Sequence, residues 1–248
     1  MARIVVTGSS GLVGRRLIAE VESAGGQVHR LVRSASDQPR SFAWDPMGGT
    51  VDATAFAGCD AVVHLAGEGI ADKRWNDAQM QKIRDSRVIG TRTLVQALTA
   101  LVEKPKVLVC ASAIGFYGDR GSSELTEEST AGEGFLAEVC QAWEAEAKPA
   151  ADAGIRVVHL RIGVVLSADG GALAKMLPPF KLGAGGVLGS GKQYMSWIDR
   201  DDLVGIIRFA IAQEGLSGPV NAVAPVAATN REFTKTLGRV LGRPTIFP

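Results

Sequence analysis

The sequence predicts an α/β protein built on a doubly wound parallel sheet. Three observations predict it. Hydrophobic periodicity switches repeatedly between strand and helix, a glycine-rich turn joins the first strand to the first helix, and later strands read as unbroken apolar runs. Runs of that last kind mark strands buried on both faces, as in parallel sheets covered by helices.

The first element, Ile4-Val5-Val6, is β-favouring and leads into Thr7-Gly8-Ser9-Ser10-Gly11-Leu12-Val13-Gly14. Val13, Leu17, Ile18 and Val21 then fall at helical spacing. Glycine lets the backbone turn and approach a ligand closely, while the N–H groups and dipole of a first helical turn face negative charge. With a strand before it and a helix after it, the Gly-x-x-Gly-x-x-Gly run reads as a dinucleotide pyrophosphate site formed by Thr7 to Gly14.

A Gly25-Gly26 stop precedes Gln27 to Arg33, which alternates as a second strand and completes a βαβ unit. At the end of that strand an acidic residue would bind a free ribose 2′-hydroxyl. Arg33 and Ser34 stand there instead, and a guanidinium fork suits a 2′-phosphate. The expected cofactor is therefore NADP rather than NAD; a solvated strand-end charge is the competing reading of Arg33.

Ser41 to Trp44 forms a short third strand, closed by Asp45-Pro46 and Gly48-Gly49. Cys59 to Gly67 is a continuous apolar run whose small end, Ala66-Gly67, leaves space for a cofactor across the sheet edge. Helical spacing follows from Asn76 to Val102, with Met80, Ile83, Thr91, Leu94, Leu98 and Leu101 on one face. Lys106 to Ser112 is another buried strand, residues 119–134 a loop, Phe135 to Ala153 a helix and Ile155 to Leu166 a strand.

The character changes after Ser167, where Gly170-Gly171, Pro178-Pro179 and Gly183 to Gly191 interrupt regular structure. Gly186 to Lys192 has the spacing of a P-loop, but Gln193 stands where the Mg²⁺-binding hydroxyl belongs and no helix pattern follows. The run is read as a mobile, glycine-rich, substrate-side loop. Asp199-Arg200-Asp201-Asp202 caps a helix reaching Ala210, with a carboxylate metal site as the lesser alternative. Val220 to Ala224 is a last strand and Thr229 to Gly242 a last helix, opened by a Thr229/Glu232 capping box. The expected organisation is a dinucleotide-binding part over 1–167, joined by 199–225, with 168–198 and 226–248 forming a small, partly formed substrate domain.

Composition narrows the function classes. A net charge of +1 over 248 residues gives no electrostatic case for nucleic acid or anionic membrane. No apolar run approaches the ~20 residues of a membrane span, and the N-terminal run is too short for a signal peptide. Cys59, Cys110 and Cys140 are widely spaced, and His29, His64 and His159 sit singly within strands. No metal site is expected; few cysteines without a disulfide pattern fit a reducing cytosol or organelle matrix, and a cytoplasmic protein is the expectation. The expected partner is a small-molecule substrate.

Spaced motifs sharpen this. Thr7-Gly8-x-x-Gly11-x-x-Gly14, Asp60 to Ala66, Phe116-Tyr117-Gly118 and Asp201-Asp202-Leu203 resemble the extended short-chain dehydrogenase/reductase superfamily. Leu65 to Glu68, Arg74-Trp75, Ser86-Arg87, Ser112 to Gly118, Trp143-Glu144 and Gly163 to Leu166 resemble its atypical branch, the NAD-dependent epimerase/dehydratase family proteins. Gly189 to Gln193, Trp197-Ile198 and Asn221-x-x-Ala-Pro225 complete a set spanning essentially the whole chain. The resemblance implies an NADP-binding Rossmann domain and a polar, nucleotide-sugar-like substrate. It implies cofactor contacts at the glycine turn, at Val32 and Arg33, at Leu65 and Ala66, and at Lys82, Arg87 and Val164. It also implies a further C-terminal segment that closes the substrate domain.

The departures bear on chemistry. Redox members of that superfamily use a Tyr-x-x-x-Lys pair, in which the lysine lowers the tyrosine pKa. Counting back from Glu144 places Leu136 and Cys140 at those positions, and Ala113 where the assisting Ser or Thr stands. Ser112 and Tyr117 are the nearest polar substitutes and the candidate catalytic residues. Two functions are compatible with this: an NADP-dependent oxidoreductase or epimerase with a non-standard active site, or a weakly active NADP(H)-binding sensor.

Overall fold

The computed structural model describes residues 3–34, 37–71 and 73–245. In chain order, β1 (Arg3–Thr7), α1 (Leu12–Ser23), β2 (Gln27–Val32), β3 (Ser41–Asp45) and β4 (Thr50–Val51) lead to β5 (Ala61–His64). Next come α2 (Asp77–Ala100), β6 (Val107–Ala113), α3 (Phe135–Ala145), α4 (Lys148–Asp152), β7 (Arg156–Ile162) and β8 (Val164–Leu166). The remainder is α5 (Gly171–Lys181), β9 (Tyr194–Met195), β10 (Trp197–Asp199), α6 (Arg200–Ala212), β11 (Gly218–Ala222), β12 (Ala228–Thr229) and α7 (Asn230–Leu241).

The apolar runs form the centre of an eight-stranded sheet ordered β11-β7-β6-β5-β1-β2-β3-β4, parallel except for β4. Alternation along each strand feeds two cores. Ile4, Val6, Val63, Val109 and Leu160 pack with Leu17 and Ile18 of α1 and Leu203 and Ile207 of α6. Val5, Val62, Leu108 and Val157 pack on the other face with Leu94, Val95 and Leu98 of α2. The sheet is thus doubly wound, and each such side chain contributes about 1.5–3 kcal/mol by leaving water.

Three stretches depart from the sequence expectation. The helix expected over 135–153 breaks after Ala145, because Pro149 has no N–H to donate and its ring clashes with the carbonyl four residues back. The chain restarts as α4 with Pro149 in the first turn, where proline is tolerated. The strand expected over 155–166 divides at Gly163, whose N–H bonds Ala222 O at 3.1 Å while Val164 N–H turns to Ser196 O at 2.8 Å. β8 thereby leaves the main sheet and pairs with β10. A helix, α5, runs through Pro178 and Pro179, which leave the carbonyls of Ala174 and Lys175 without an i+4 N–H donor.

The glycine-rich run 183–193 carries no helix, which removes the P-loop reading, but it is not loose. Buried Asn230 accepts from Leu188 N–H at 2.8 Å and donates its own backbone N–H to Gln193 O at 2.9 Å. Arg231 N–H reaches Gly191 O at 3.0 Å. These bonds tie the loop, expected to be mobile, to the start of α7; the sequence also predicts a mobile C-terminus, of which Ile246 to Pro248 lie outside the described residues. Asp199 caps α6 by accepting from Asp201 N–H, and the Thr229/Glu232 box opens α7. Among the described residues no helix is long and apolar enough to cross a membrane.

The Gly163 junction generates a prediction. A Cβ there would lie 2.6 Å from Ser196 O and 3.0 Å from Val223 Cγ1, where neither neighbour is a loose side-chain tip. Gly163→Ala should destabilise the protein by about 1–3 kcal/mol, the usual cost of overpacking, read as a lower urea midpoint at unchanged m-value. An unchanged midpoint would mean that the junction relaxes freely.

Candidate functional site

β1 lies between β5 and β2, so connections leave it in opposite directions and a crevice opens at the carboxyl ends of β1 and β5. The glycines set its shape. Gly8 has φ +68°, and a Cβ on it would sit 2.8 Å from the Leu65 carbonyl. A Cβ on Gly14 would sit 2.3 Å from Gly8 O, so only glycine lets α1 start this close to the turn. Gly11 is the N-cap of α1 and supplies no side-chain cap, which directs the first-turn backbone N–H groups at whatever occupies the crevice. Ser10 and Gly11 are exposed at the tip, while Ser9, Leu12 and Val13 are half-buried behind it. The cradle fits an anionic pyrophosphate.

A buried relay holds the two banks together. Thr7 Oγ1 accepts Leu65 N–H at 3.1 Å and Ala66 N–H at 3.2 Å, and lies 2.7 Å from His64 Nδ1. Two acceptances use both lone pairs of a hydroxyl, so its proton goes to Nδ1. His64 is then the Nε2–H tautomer and donates to Thr91 Oγ1 of α2 at 3.0 Å. Thr7, His64 and Thr91 are wholly buried, and burial lowers the His64 pKa from 6.5 to about 4. The ring is neutral near pH 7.

Other candidates occupy different places. Val32 is half-buried at the end of β2, with Arg33 and Ser34 exposed just beyond it on the same edge of the sheet. Lys82 is exposed on α2. Arg87 is turned inward: its Nη1 donates to Glu68 O at 3.0 Å and Ile83 O at 3.1 Å, and its guanidinium lies over the Trp143 ring at 5.2 Å. A Cβ on Gly67 would approach Arg87 Cζ to 3.3 Å, so Arg87 backs the β5–α2 connection. Val164 opens β8, half-buried.

The candidate catalytic residues join a polar network. Ser112 Oγ donates to Glu144 Oε1 at 2.6 Å, and Glu144 forms a bidentate pair with Arg161 at 3.0 Å per bond. Arg161 also donates to Tyr117 Oη at 3.0 Å and stacks its guanidinium 3.5 Å from the Phe116 ring centroid. The Tyr117 hydroxyl donates to Asn221 Oδ1 at 2.6 Å. Tyr117 and Ser112 are each 3% exposed, and both hydroxyls are hydrogen-bonded within the protein. Leu136 and Cys140 pack against the Ile114–Tyr117 turn; a Cβ on Gly115 would meet Leu136 Cβ at 3.3 Å and Cys140 Sγ at 3.8 Å. Burial and Glu144 push the Cys140 thiol up to about 11, which leaves no thiolate there at neutral pH.

Crevice, switch point and glycine turn are the marks of a dinucleotide-binding sheet. Residues 4–223 match the model of the NAD dependent epimerase/dehydratase family. The chain belongs to this family. An epimerase family protein of Mycobacterium bovis is 46% identical over 246 residues, covering 98% of this chain and 80% of that protein. The human epimerase family protein SDR39U1, solved with NADPH, superimposes with a TM-score of 0.90 at 36% identity, covering 99% of this chain and 82% of that one. A nucleoside-diphosphate sugar epimerase structure from Corynebacterium glutamicum superimposes with a TM-score of 0.84 at 41% identity, covering 98% of this chain and 52% of that one. The sheet is the NAD(P)-binding Rossmann-like fold of this family.

Residue-by-residue reading missed Glu144, Arg161 and Asn221 as a unit. The available signal was a charged residue, Arg161, inside a strand otherwise read as buried, which demands a buried partner. Among the described residues no three His, Cys, Asp or Glu side chains gather as a metal site; Asp199 caps α6, and Asp201 pairs with Arg16 and Arg200.

Two predictions arise here. Glu144→Ala leaves Arg161, 4% exposed, without its counter-ion, and should cost about 3–5 kcal/mol in urea unfolding. A double Glu144→Met/Arg161→Met change should cost less than Glu144→Ala alone. The second concerns pH. His64 titrates near 6.5 when unfolded and near 4 when folded, so the unfolded chain binds the extra proton first as pH falls. The His64 contribution is intact above pH 6.5, declines between 6.5 and 4 and is flat below. Unfolding free energy should drop by about 2 kcal/mol from pH 7 to pH 5, and His64→Gln should remove that part of the slope.

Proposed function

We propose that this chain binds NADP(H) in the β1–β5 crevice and is an oxidoreductase- or epimerase-like protein with a non-standard active site. The observation that carries the cofactor choice is Arg33, exposed at the end of β2 beside Ser34, where an acidic residue would favour NAD. Thr7 to Gly14 would hold the pyrophosphate, Val32 to Ser34 the adenosine 2′-phosphate, and Leu65 to Gly67 the far bank. Lys82, Arg87 and Val164 complete the set, with Arg87 acting through the Glu68 carbonyl. NADP(H), when bound, supplies hydride donation or acceptance. The human relative solved with NADPH supports the choice.

A second reading is favoured by the interior itself. Leu136 and Cys140 offer no acid or base, and Ser112 and Tyr117 are held by Glu144, Arg161 and Asn221. General acid–base catalysis is worth roughly 10²–10⁴ in rate, and a protein lacking it binds cofactor without much turnover. On this reading the chain is an NADP(H) sensor. On the first, the substrate is small and polar, of the nucleotide-sugar class named for the Corynebacterium relative.

Titration with both cofactors tests the proposal. NADPH should bind more tightly than NADH by about 10–100-fold, the worth of a charge-assisted pair, and Arg33→Asp should invert the order. Equal affinity in the unmodified protein would overturn it. Turnover on nucleotide sugars should be weak or absent. Where it is measurable, Tyr117→Phe or Ser112→Ala should lower kcat with cofactor affinity nearly unchanged. Robust epimerase activity surviving both changes would place the chemistry elsewhere.

A further inference from the structure

The first turn of α5 bridges the two banks of the crevice. On the α1 bank, a Cβ built on Gly170 or Gly171 would lie 3.3 Å from a Leu12 δ-carbon, so this backbone rests directly on the first residue of α1. Asp169, just before the helix, pairs with Arg200, Arg200 pairs with Asp201, and Asp201 pairs with Arg16 of α1. On the opposite bank Lys175 Nζ donates to Ala71 O, in the β5–α2 connection, at 3.1 Å. Positions 171 and 175 are one helical turn apart, about 6 Å of rise, so that turn spans the gap.

The bridge is lightly held. Phe180, near the far end, is the one residue of α5 in the buried class among those described. In the N-terminal half Gly171 and Lys175 are exposed and Ala172 to Ala174 half-buried, and the contacts that hold it include the Leu12 packing, an ion pair whose Asp169 side chain is 67% exposed, and the Lys175–Ala71 bond. Exposed pairs of this kind contribute little, and a segment whose apolar side chains are only half-buried opens at lower cost than the core.

We propose that α5 is a strap anchored at Phe180 and latched by Lys175 on Ala71, and that the dinucleotide enters and leaves the crevice only while the latch is open. The proposal rests on the cofactor reading above. It concerns the path to the site rather than the affinity of the site. A weaker latch speeds entry and exit by the same factor, and the equilibrium constant stays where it was.

Stopped-flow fluorescence of NADPH mixed with the 248-residue chain tests this without reference to catalysis. Lys175→Met should raise both association and dissociation rate constants by about tenfold or more, one hydrogen bond of ordinary net strength being the least that the ammonium supplies, with Kd within about twofold. Removing a cation slows encounter with an anionic ligand, so faster association cannot come from charge. Lys181→Met, an exposed lysine at the far end of the same helix, should leave both rates unchanged. Unchanged rates in Lys175→Met overturn the strap. Faster dissociation without faster association also overturns it, by making Lys175 a plain cofactor contact. Failure of the unmodified protein to bind NADPH or NADH overturns the cofactor reading and the strap with it, whereas tight binding with unaltered rates removes the strap alone.

Discussion

The hydroxyl of Thr7 is the contact on which the crevice depends. It receives the backbone N–H groups of Leu65 and Ala66 and gives its own proton to His64, which passes a hydrogen bond on to Thr91 of α2. Two strand ends, the connection between β5 and α2, and α2 itself are thereby held to one atom. Its position also sets how near the glycine turn lies to Leu65, since Gly8 follows Thr7 directly and packs on that carbonyl. The cost of burying so many polar groups is offset because every member has a partner, and such a network is far less tolerant of loss than of presence.

Away from the crevice the same logic has been applied with charge. The Glu144–Arg161 pair stands where β6, β7 and α3 meet, and it gathers in Ser112, Tyr117 and, through Tyr117, Asn221 of β11. In a redox relative of the superfamily the corresponding region would present a phenol and an amine to the cofactor. Here Leu136 and Cys140 close against Gly115, and the nearby hydroxyls bond inward. On the reading proposed above, the crevice takes the cofactor while the inward-bonded hydroxyls leave little for turnover.

Much of the architecture was legible in the chain because it rests on local rules. Alternating and continuous apolar runs give strand and helix order, glycine at 8, 11 and 14 gives the turn, and Asp199 and Thr229 give two helix starts. Misreadings had local causes too. Pro149 was a stop signal inside a helical pattern, and Gly163 an interruption inside an apolar run. The glycine run 183–193 could not be judged from composition, because what orders it is Asn230, some forty residues later.

The sequence by itself determined the parallel α/β fold, the anion cradle at Thr7 to Gly14 and the basic residue at the end of β2. Each is a matter of residue type at short spacing, and backbone sterics or strand periodicity act at that range. Only the tertiary structure decided what the side chains of Ser112, Tyr117, Arg87 and His64 face. Their partners, Glu144, Asn221, the Glu68 carbonyl and Thr91, lie 19 to 104 residues away. A hydroxyl or guanidinium carries no mark in the chain of whether it is turned to a ligand or satisfied within the protein, because that depends on which distant group fills its hydrogen-bonding capacity once the layers have packed.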